Sequence, residues 1–319
     1  MRKLLACLSL FALTSLTIHA QYTETINSNR PGESQGGYAV GRGVLQLEAG
    51  PYYGNDDHSI YQEETEILGA GYGLRYGLLT ENLEINLSGS FQAETTTVRI
   101  GNTDEEFKRS NFRTNTIGAK YLIFDPHKNA EEDKPNLYSW KANQRFKWKK
   151  LIPAISIYGG VNFSFGENPY LYEGEGKFSP KAVIITQNNW GRWALVMNFI
   201  ADKFTEEFPT YGAIVTVTHA LTPKLALFGE YQGYISDIYA DDILRGGGAY
   251  LLTDDLQVDI SGLVNFKDTP QRWQVAAGVS YRFDFHDQDE VLEDSYDGPR
   301  DRRRQRSEDS GYQLEGDSN

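Results

Sequence analysis

The sequence predicts an all-β fold: a transmembrane, antiparallel, up-and-down β-barrel of about twelve strands, with an N-terminal arm and a disordered C-terminal tail. Three observations predict it. Apolar and polar residues alternate with a period of two in segment after segment, each about ten residues long, the length a tilted strand needs to cross a hydrocarbon layer. Between these segments, tight turns alternate with longer polar loops. The composition combines 13% aromatic residues and 31 glycines with a mean hydropathy of -0.51, too polar for a bundle of membrane helices and too aromatic for a disordered chain.

Met1–Ala20 opens with Arg2 and Lys3, continues through an apolar core to Ile18 and ends on a small residue before Gln21. That is the pattern of a secretory signal, cleaved after Ala20. The single cysteine, Cys7, lies inside it, so a disulfide scaffold is excluded for the mature chain. Residues 21–42 read as a periplasmic N-terminal arm and a candidate plug of the lumen.

The barrel is expected over 43–285, with strands at 43–53, 66–77, 81–93, 110–123, 151–165, 177–187, 191–201, 210–220, 223–234, 242–252, 254–266 and 272–285. In the third, Leu83, Ile85, Leu87 and Phe91 share one face, and Glu84, Asn86, Ser88 and Ser90 the other. Pro153 and Pro180 belong near strand ends or bulges. The tight connectors are 79–82, 188–191, 221–224 and 252–255; the longer ones are 54–65, 94–109, 166–176, 202–209, 235–241 and 267–271. Aromatic residues near strand ends (Tyr52, Tyr76, Phe91, Tyr121, Phe163, Trp193, Tyr231, Tyr250, Phe266, Trp273, Phe285) read as interface girdles.

Two stretches depart from a plain barrel. Asp125–Lys150 is a long connector on the short-turn side; in its second half, Tyr138–Lys150, five basic residues accompany Trp140, Phe146 and Trp148. It suits either anionic lipid headgroups or a solvated extension of the fifth strand. Residues 286–319 are acid-rich, carry an arginine cluster at 300–306 and have no apolar periodicity, so they read as a disordered periplasmic tail.

Asn29-Arg30-Pro31-Gly32-Glu33-Ser34, followed by Gly41-Arg42-Gly43-Val44-Leu45-Gln46-Leu47-Glu48-Ala49-Gly50, resembles the opening of the outer-membrane family labelled "MetA-pathway of phenol degradation". Leu74–Glu84 resembles its second hairpin, and the likeness extends over about 26–285. Asn29 stands where the family usually has Asp, the fourth-to-fifth connector is enlarged, and a tail follows the last strand. The resemblance implies a channel or transporter linked to aromatic or other hydrophobic compounds.

The acidic balance, Lys+Arg 31 against Asp+Glu 44, argues against a nucleic-acid partner. By alternation the inner face includes Glu48, Arg75, Glu84, Lys120, Glu230, Arg245, Asp259, Arg282 and Asp284, with Arg30 as candidate anchor of the arm. Such a mixed lining can hold the barrel's shape through charge pairs or line a narrow path for solutes. The expected function is passive passage of a small, hydrophobic or aromatic solute across a bacterial outer membrane, without cofactor or metal. The expected partners are outer-membrane lipid, the barrel assembly machinery and the solute. The alternatives are a structural or adhesin barrel, and a hydrolase. For the hydrolase, His58 beside Asp56 and Asp57 in the first long loop is the candidate base, since His127, His219 and His286 fall on the short-turn side.

Overall fold

The computed structural model describes residues 25–101, 103–126, 151–172 and 174–285. The signal segment, Tyr138–Lys150 and the tail from 286 lie outside the described residues. Twelve strands succeed one another along the chain: β1 (Val44–His58), β2 (Glu63–Gly77), β3 (Leu83–Ile100), β4 (Thr103–Phe124), β5 (Ala154–Phe163), β6 (Phe178–Trp190), β7 (Trp193–Asp202), β8 (Thr210–Ala220), β9 (Leu225–Ser236), β10 (Ala240–Thr253), β11 (Leu256–Asn265) and β12 (Gln271–Asp284). Each pairs antiparallel with its sequence neighbours, and β1 closes on β12 from Val44↔Asp284 to Asp57↔Gln271. Closure gives the backbone groups partners without help from water, which a hydrocarbon layer demands.

The alternation is resolved in the sense of a membrane barrel. Glu84 and Lys120 are fully buried at 0% exposure, whereas Ile260 is 66% exposed. Leu68, Ile117, Ile184, Phe199 and Leu244 likewise face outward. A water-soluble core would have the opposite distribution; here the outer solvent is lipid and the enclosed space is polar. Trp193, Tyr250, Tyr281 and Phe283 at one rim, and Phe91, Tyr231, Phe266 and Trp273 toward the other, stand outward as interfacial aromatics. Tyr52 is the exception among the expected girdle residues. It shares the inner face with Gln46 and Glu48, and its hydroxyl donates to Gln92 Oε1 at 2.9 Å.

Several segments expected to be long loops are strand. Most of 94–109 continues β3 and β4 as a hairpin that turns at Gly101, whose φ is +65°. The run Thr95-Thr96-Thr97-Val98-Arg99-Ile100 is mostly β-branched, and such residues favour extended backbone over a loop. β1 and β2 likewise run on to His58 and back from Glu63, paired with each other from Gly54↔Ile67 to His58↔Glu63, although 54–58 holds no β-branched residue. The tight turns carry their own chemistry. Thr222 Oγ1 accepts from Leu225 N at 2.9 Å, closing the β8–β9 turn, and Gly191 with φ +61° allows Trp190 and Trp193 to pair across the β6–β7 turn.

Candidate functional site

The arm from Thr25 to Gly43 threads into the barrel at the end where the chain enters and leaves it, and runs around the inner wall. It begins at Ile26, whose N–H donates to Asp254 O in the β10–β11 turn at 2.8 Å. Asn27 O accepts from Arg75 Nη1 on β2 at 2.7 Å, and Ser28 Oγ meets Ser280 Oγ on β12 at 2.8 Å. Arg30 donates to Asp259 on β11 through both Nε (3.1 Å) and Nη2 (3.0 Å), a bidentate pair. Glu33 accepts from Arg245 Nη2 on β10 at 3.1 Å, while the N–H groups of Glu33 and Ser34 converge on the Glu230 carboxylate of β9. Thr216 Oγ1 on β8 donates to Ser34 Oγ, and Asn198 on β7 clasps both N and O of Gln35. Gly37 gives its N–H to Gln187 on β6 and takes Ser156 Oγ–H from β5. Lys120 Nζ on β4 donates to Gly36 O and Tyr38 O, each at 2.9 Å, and Glu84 on β3 accepts from Val40 N at 3.0 Å. With Glu48 on β1 taking Asn29 N, every strand supplies at least one side chain to the arm.

This explains how so many charges tolerate burial. Glu84 lies 2.8 Å from Arg75 Nη2 and 3.1 Å from Lys120 Nζ, and Arg75 Nη1 is 3.5 Å from Glu48. The arm's backbone then takes up hydrogen-bonding capacity that the side-chain pairs leave over, which a buried ion pair requires. Of the nine candidate lining residues, Glu48, Arg75, Glu84, Lys120, Glu230, Arg245 and Asp259 all bond the arm directly. Arg282 instead donates to Asp255 at 2.7 Å on the rim, and Asp284 is half-buried at the foot of β12, opposite Val44. Asn29, the departure from the family's usual Asp, closes the arm's own turn by accepting from Gly36 N at 2.9 Å.

Arg30 occupies a slot made by absent side chains. Its Nη2 also donates to Ala277 O at 3.2 Å, opposite Pro51, which has no N–H to offer across the β1–β12 ladder. A methyl group at Gly50 would stand 2.6 Å from Nη2, and one at Gly278 would overlap the guanidinium.

Beyond the arm, toward the opposite end, the wall changes character. The inward positions of β5–β7 form an apolar cluster: Tyr158, Val183 and Ile185, packed with Val196 and Ile200. Ile214, Ile243 and Leu263 are buried on the inner faces of β8, β10 and β11. The simple rule of polar inward residues fails here. The signal was present in Ala182-Val183-Ile184-Ile185, an unbroken apolar run that makes both faces of β6 greasy. The uncharged seat residues Ser156, Gln187, Asn198, Thr216 and Ser280 were also missed, because hydroxyl and amide side chains on an inner face carry no distinguishing pattern.

The hydrolase constellation is not assembled. Asp56 faces inward, paired with Arg272 through Nε at 2.7 Å, while His58 stacks on Tyr61 in the β1–β2 turn, 4.4 Å between centroids. His219 lies against Trp193 at 4.1 Å. Among the described residues no group of three or more His, Cys, Asp and Glu is arranged to hold a metal.

A closed cylinder with a greasy exterior, aromatic rims and an arm-lined polar interior defines an outer-membrane β-barrel. A family model described as "Putative MetA-pathway of phenol degradation" matches residues 28–283, and the chain belongs to that family. No curated protein sequence matches it. Among solved structures, an outer-membrane channel from Pseudomonas putida F1 is 12% identical, covering 80% of this chain and 100% of its own, with a TM-score of 0.51. The translocator domain of the autotransporter NalP from Neisseria meningitidis is 11% identical over 76% of this chain and 89% of its own, TM-score 0.44. The CymD monoaromatic hydrocarbon channel is 8% identical over 77% and 89%, TM-score 0.42. At such identities the likeness is one of fold.

Proposed function

We propose that this protein is a passive outer-membrane channel for small aromatic or hydrophobic solutes. On this reading Met1–Ala20 is removed on export, the arm is the element that narrows the passage, 286–319 is a periplasmic tail, and the solute crosses without cofactor or covalent step. The assembly machinery and the surrounding lipid are its other partners. The observation that carries the reading is the inner sector around Tyr158, Val183, Ile185, Val196 and Ile200, continued by Ile214. Apolar residues gain nothing by facing water, so an inner wall kept greasy above a charged seat suits a solute that is itself partly greasy. The charged ring is then a fastening for the arm and no solute contact is required of it. The family's description and the Pseudomonas putida channel agree with this reading.

The test is efflux of phenol from proteoliposomes, with single-channel recording alongside. Ile214→Asn is expected to slow phenol efflux severalfold while leaving ionic conductance within a factor of two. Removing 21–42 is expected to enlarge the conductance. No efflux and no conductance from either the full chain or the arm-less form would overturn the channel and favour a structural or adhesin barrel.

A further inference from the structure

We propose that Arg113, on the inner wall of β4, receives a carboxylate-bearing solute in the outer half of the passage. The inference goes beyond the channel reading by giving the solute a negative charge, and it rests on that reading for its purpose. The register of β3 and β4 slips between Ser90 and Phe91: Ser90 faces Thr114, Phe91 faces Phe112, and Arg113 is the extra residue. A bulge of this kind re-aims a side chain. Phe112 turns to the outer surface, 5.5 Å from Phe91 between ring centroids. Arg113 turns inward, where its Nη1 donates to Gln92 Oε1 at 3.2 Å. Gln92 is fully buried, and the same oxygen accepts the Tyr52 hydroxyl. Tyr170 reaches across this wall from the β5–β6 connector and donates to Gln92 O at 3.2 Å. The guanidinium is thus placed by a fixed support, yet it stays exposed inside the barrel.

The surrounding charges leave Arg113 over. Glu94, the acid beside it on β3, is taken by Gln92 Nε2 and Arg109 Nε. Asp56 has Arg272, Glu33 has Arg245, and Asp202 has Lys181 at 3.7 Å. Asp241 shares Arg272 and is closed in by Tyr239 and Asn265. Among the described residues Arg113 forms no ion pair, and its Nε and Nη2 make no hydrogen bond. That edge of a guanidinium grips a carboxylate through two parallel bonds. The space in front of it is open. Ser88 and Thr114 are inward positions that remain exposed, and a methyl group added at Gly71 would meet nothing nearer than Gly89 O at 4.0 Å. On the opposite wall the inward Asn198, Thr216 and Glu230 are buried under the arm. A solute moving past the arm therefore runs along the β2–β4 wall, beneath the one guanidinium edge that has no partner there.

The experiment is planar-bilayer recording of the full chain under a potassium chloride gradient, with benzoate or benzyl alcohol added, alongside ¹⁹F NMR titration of the same protein in detergent with 4-fluorobenzoate. The parent is expected to show saturable block by benzoate and none by benzyl alcohol. Arg113→Gln should move the reversal potential toward that of potassium and weaken benzoate block and 4-fluorobenzoate binding about tenfold, the fold-change that a hydrogen bond between charged groups is worth. Arg113→Lys keeps the charge without the planar fork, so the reversal potential should hold while the block weakens. Arg99→Gln, at the hairpin tip where Arg99 pairs with Asp104 at 3.2 Å, should match the parent. Block and binding equal in Arg113→Gln and the parent, or benzyl alcohol blocking as well as benzoate, would overturn the site. Conducting channels that bind no 4-fluorobenzoate refute the site alone, and binding that depends on Arg113 without any conductance refutes the channel alone.

Discussion

Gly278→Ala tests the seating of the arm with the smallest possible change. The residue sits on the inner face of β12, two positions from Ser280, and a methyl group there would overlap the guanidinium of Arg30. The flexible side chain can leave, but it must abandon the two bonds to Asp259 and the one to Ala277 O. The Asp259 side chain is 0% exposed in the pair, so it would remain behind as a buried carboxylate without its cation. Removing one partner from such a pair costs about 3–5 kcal/mol, which raises the population of detached arm by between about a hundredfold and a few thousandfold. The readout is maleimide labelling of Gln35→Cys in a Cys7→Ser background, where it is the chain's single cysteine and its side chain takes no part in the Asn198 clasp. Labelling should rise by at least tenfold in Gly278→Ala, together with longer or larger conducting events. Gly262→Ala, where the nearest atom to an added methyl is Gln274 O at 3.9 Å, should label as the parent does. Equal labelling of Gly278→Ala and Gly262→Ala would refute the account of the Arg30 slot.

Glu84→Gln removes the acid shared by Arg75, Lys120 and Val40 N, and should lower stability by about 3–5 kcal/mol in detergent unfolding; a loss below about 1 kcal/mol would mean that the cations find other partners. Ile260→Arg puts a charge on the lipid face near mid-strand and should cost about 2–4 kcal/mol in bilayer folding, whereas a lumen-side swap of similar size at Ser261 should cost far less. Tyr38, in the arm, has its phenol pushed up to about 12, first by burial and then by the Asp125 carboxylate. Its contribution to the seat is therefore present below pH 10 and lost as pH rises toward 12, so the ultraviolet difference between the parent and Tyr38→Phe should show an ionisation well above pH 10.

The fold was legible because a barrel in lipid leaves a clear trace. Leu83 to Phe91 must offer lipid one face and the interior another, so period two survives in the sequence. The ends were less legible: Thr95–Ile100 is polar enough for a loop, yet its β-branched residues keep the hairpin extended. Charged positions such as Glu84 and Lys120 could be assigned to the inside from parity alone, and Arg30 stood out as a cation in an otherwise weakly charged arm. What parity could not reveal was their destination. Asp259 meets an arm residue 229 positions earlier in the chain, and Asn198 meets one 163 positions earlier, separations at which no local pattern exists. Tyr52 was misplaced because an aromatic near a strand end fits a girdle by type, although its parity with Glu48 along the same strand already puts it on the inner face.

The position of Pro51 joins these levels. A proline in a strand deprives the neighbouring strand of one donor, which within a membrane wall is a defect. Here the β1–β12 register passes from Ala49↔Val279 to Tyr52↔Ala276, with Gly50 and Pro51 between, and the Ala277 carbonyl opposite Pro51 receives Arg30 Nη2 instead. Glycines at 50 and 278 leave the space through which the guanidinium arrives, and Asp259 on the adjoining strand supplies the countercharge. The donor missing from the sheet is thus provided by the arm. If that substitution is the reason for the proline, Pro51→Ala should restore a ladder donor, compete with Arg30 for Ala277 O, and loosen the arm without unfolding the wall. Gln35→Cys labelling that rises in Pro51→Ala while heat resistance of the barrel is kept would bear this out; labelling equal to the parent's would leave Pro51 no part in holding the arm.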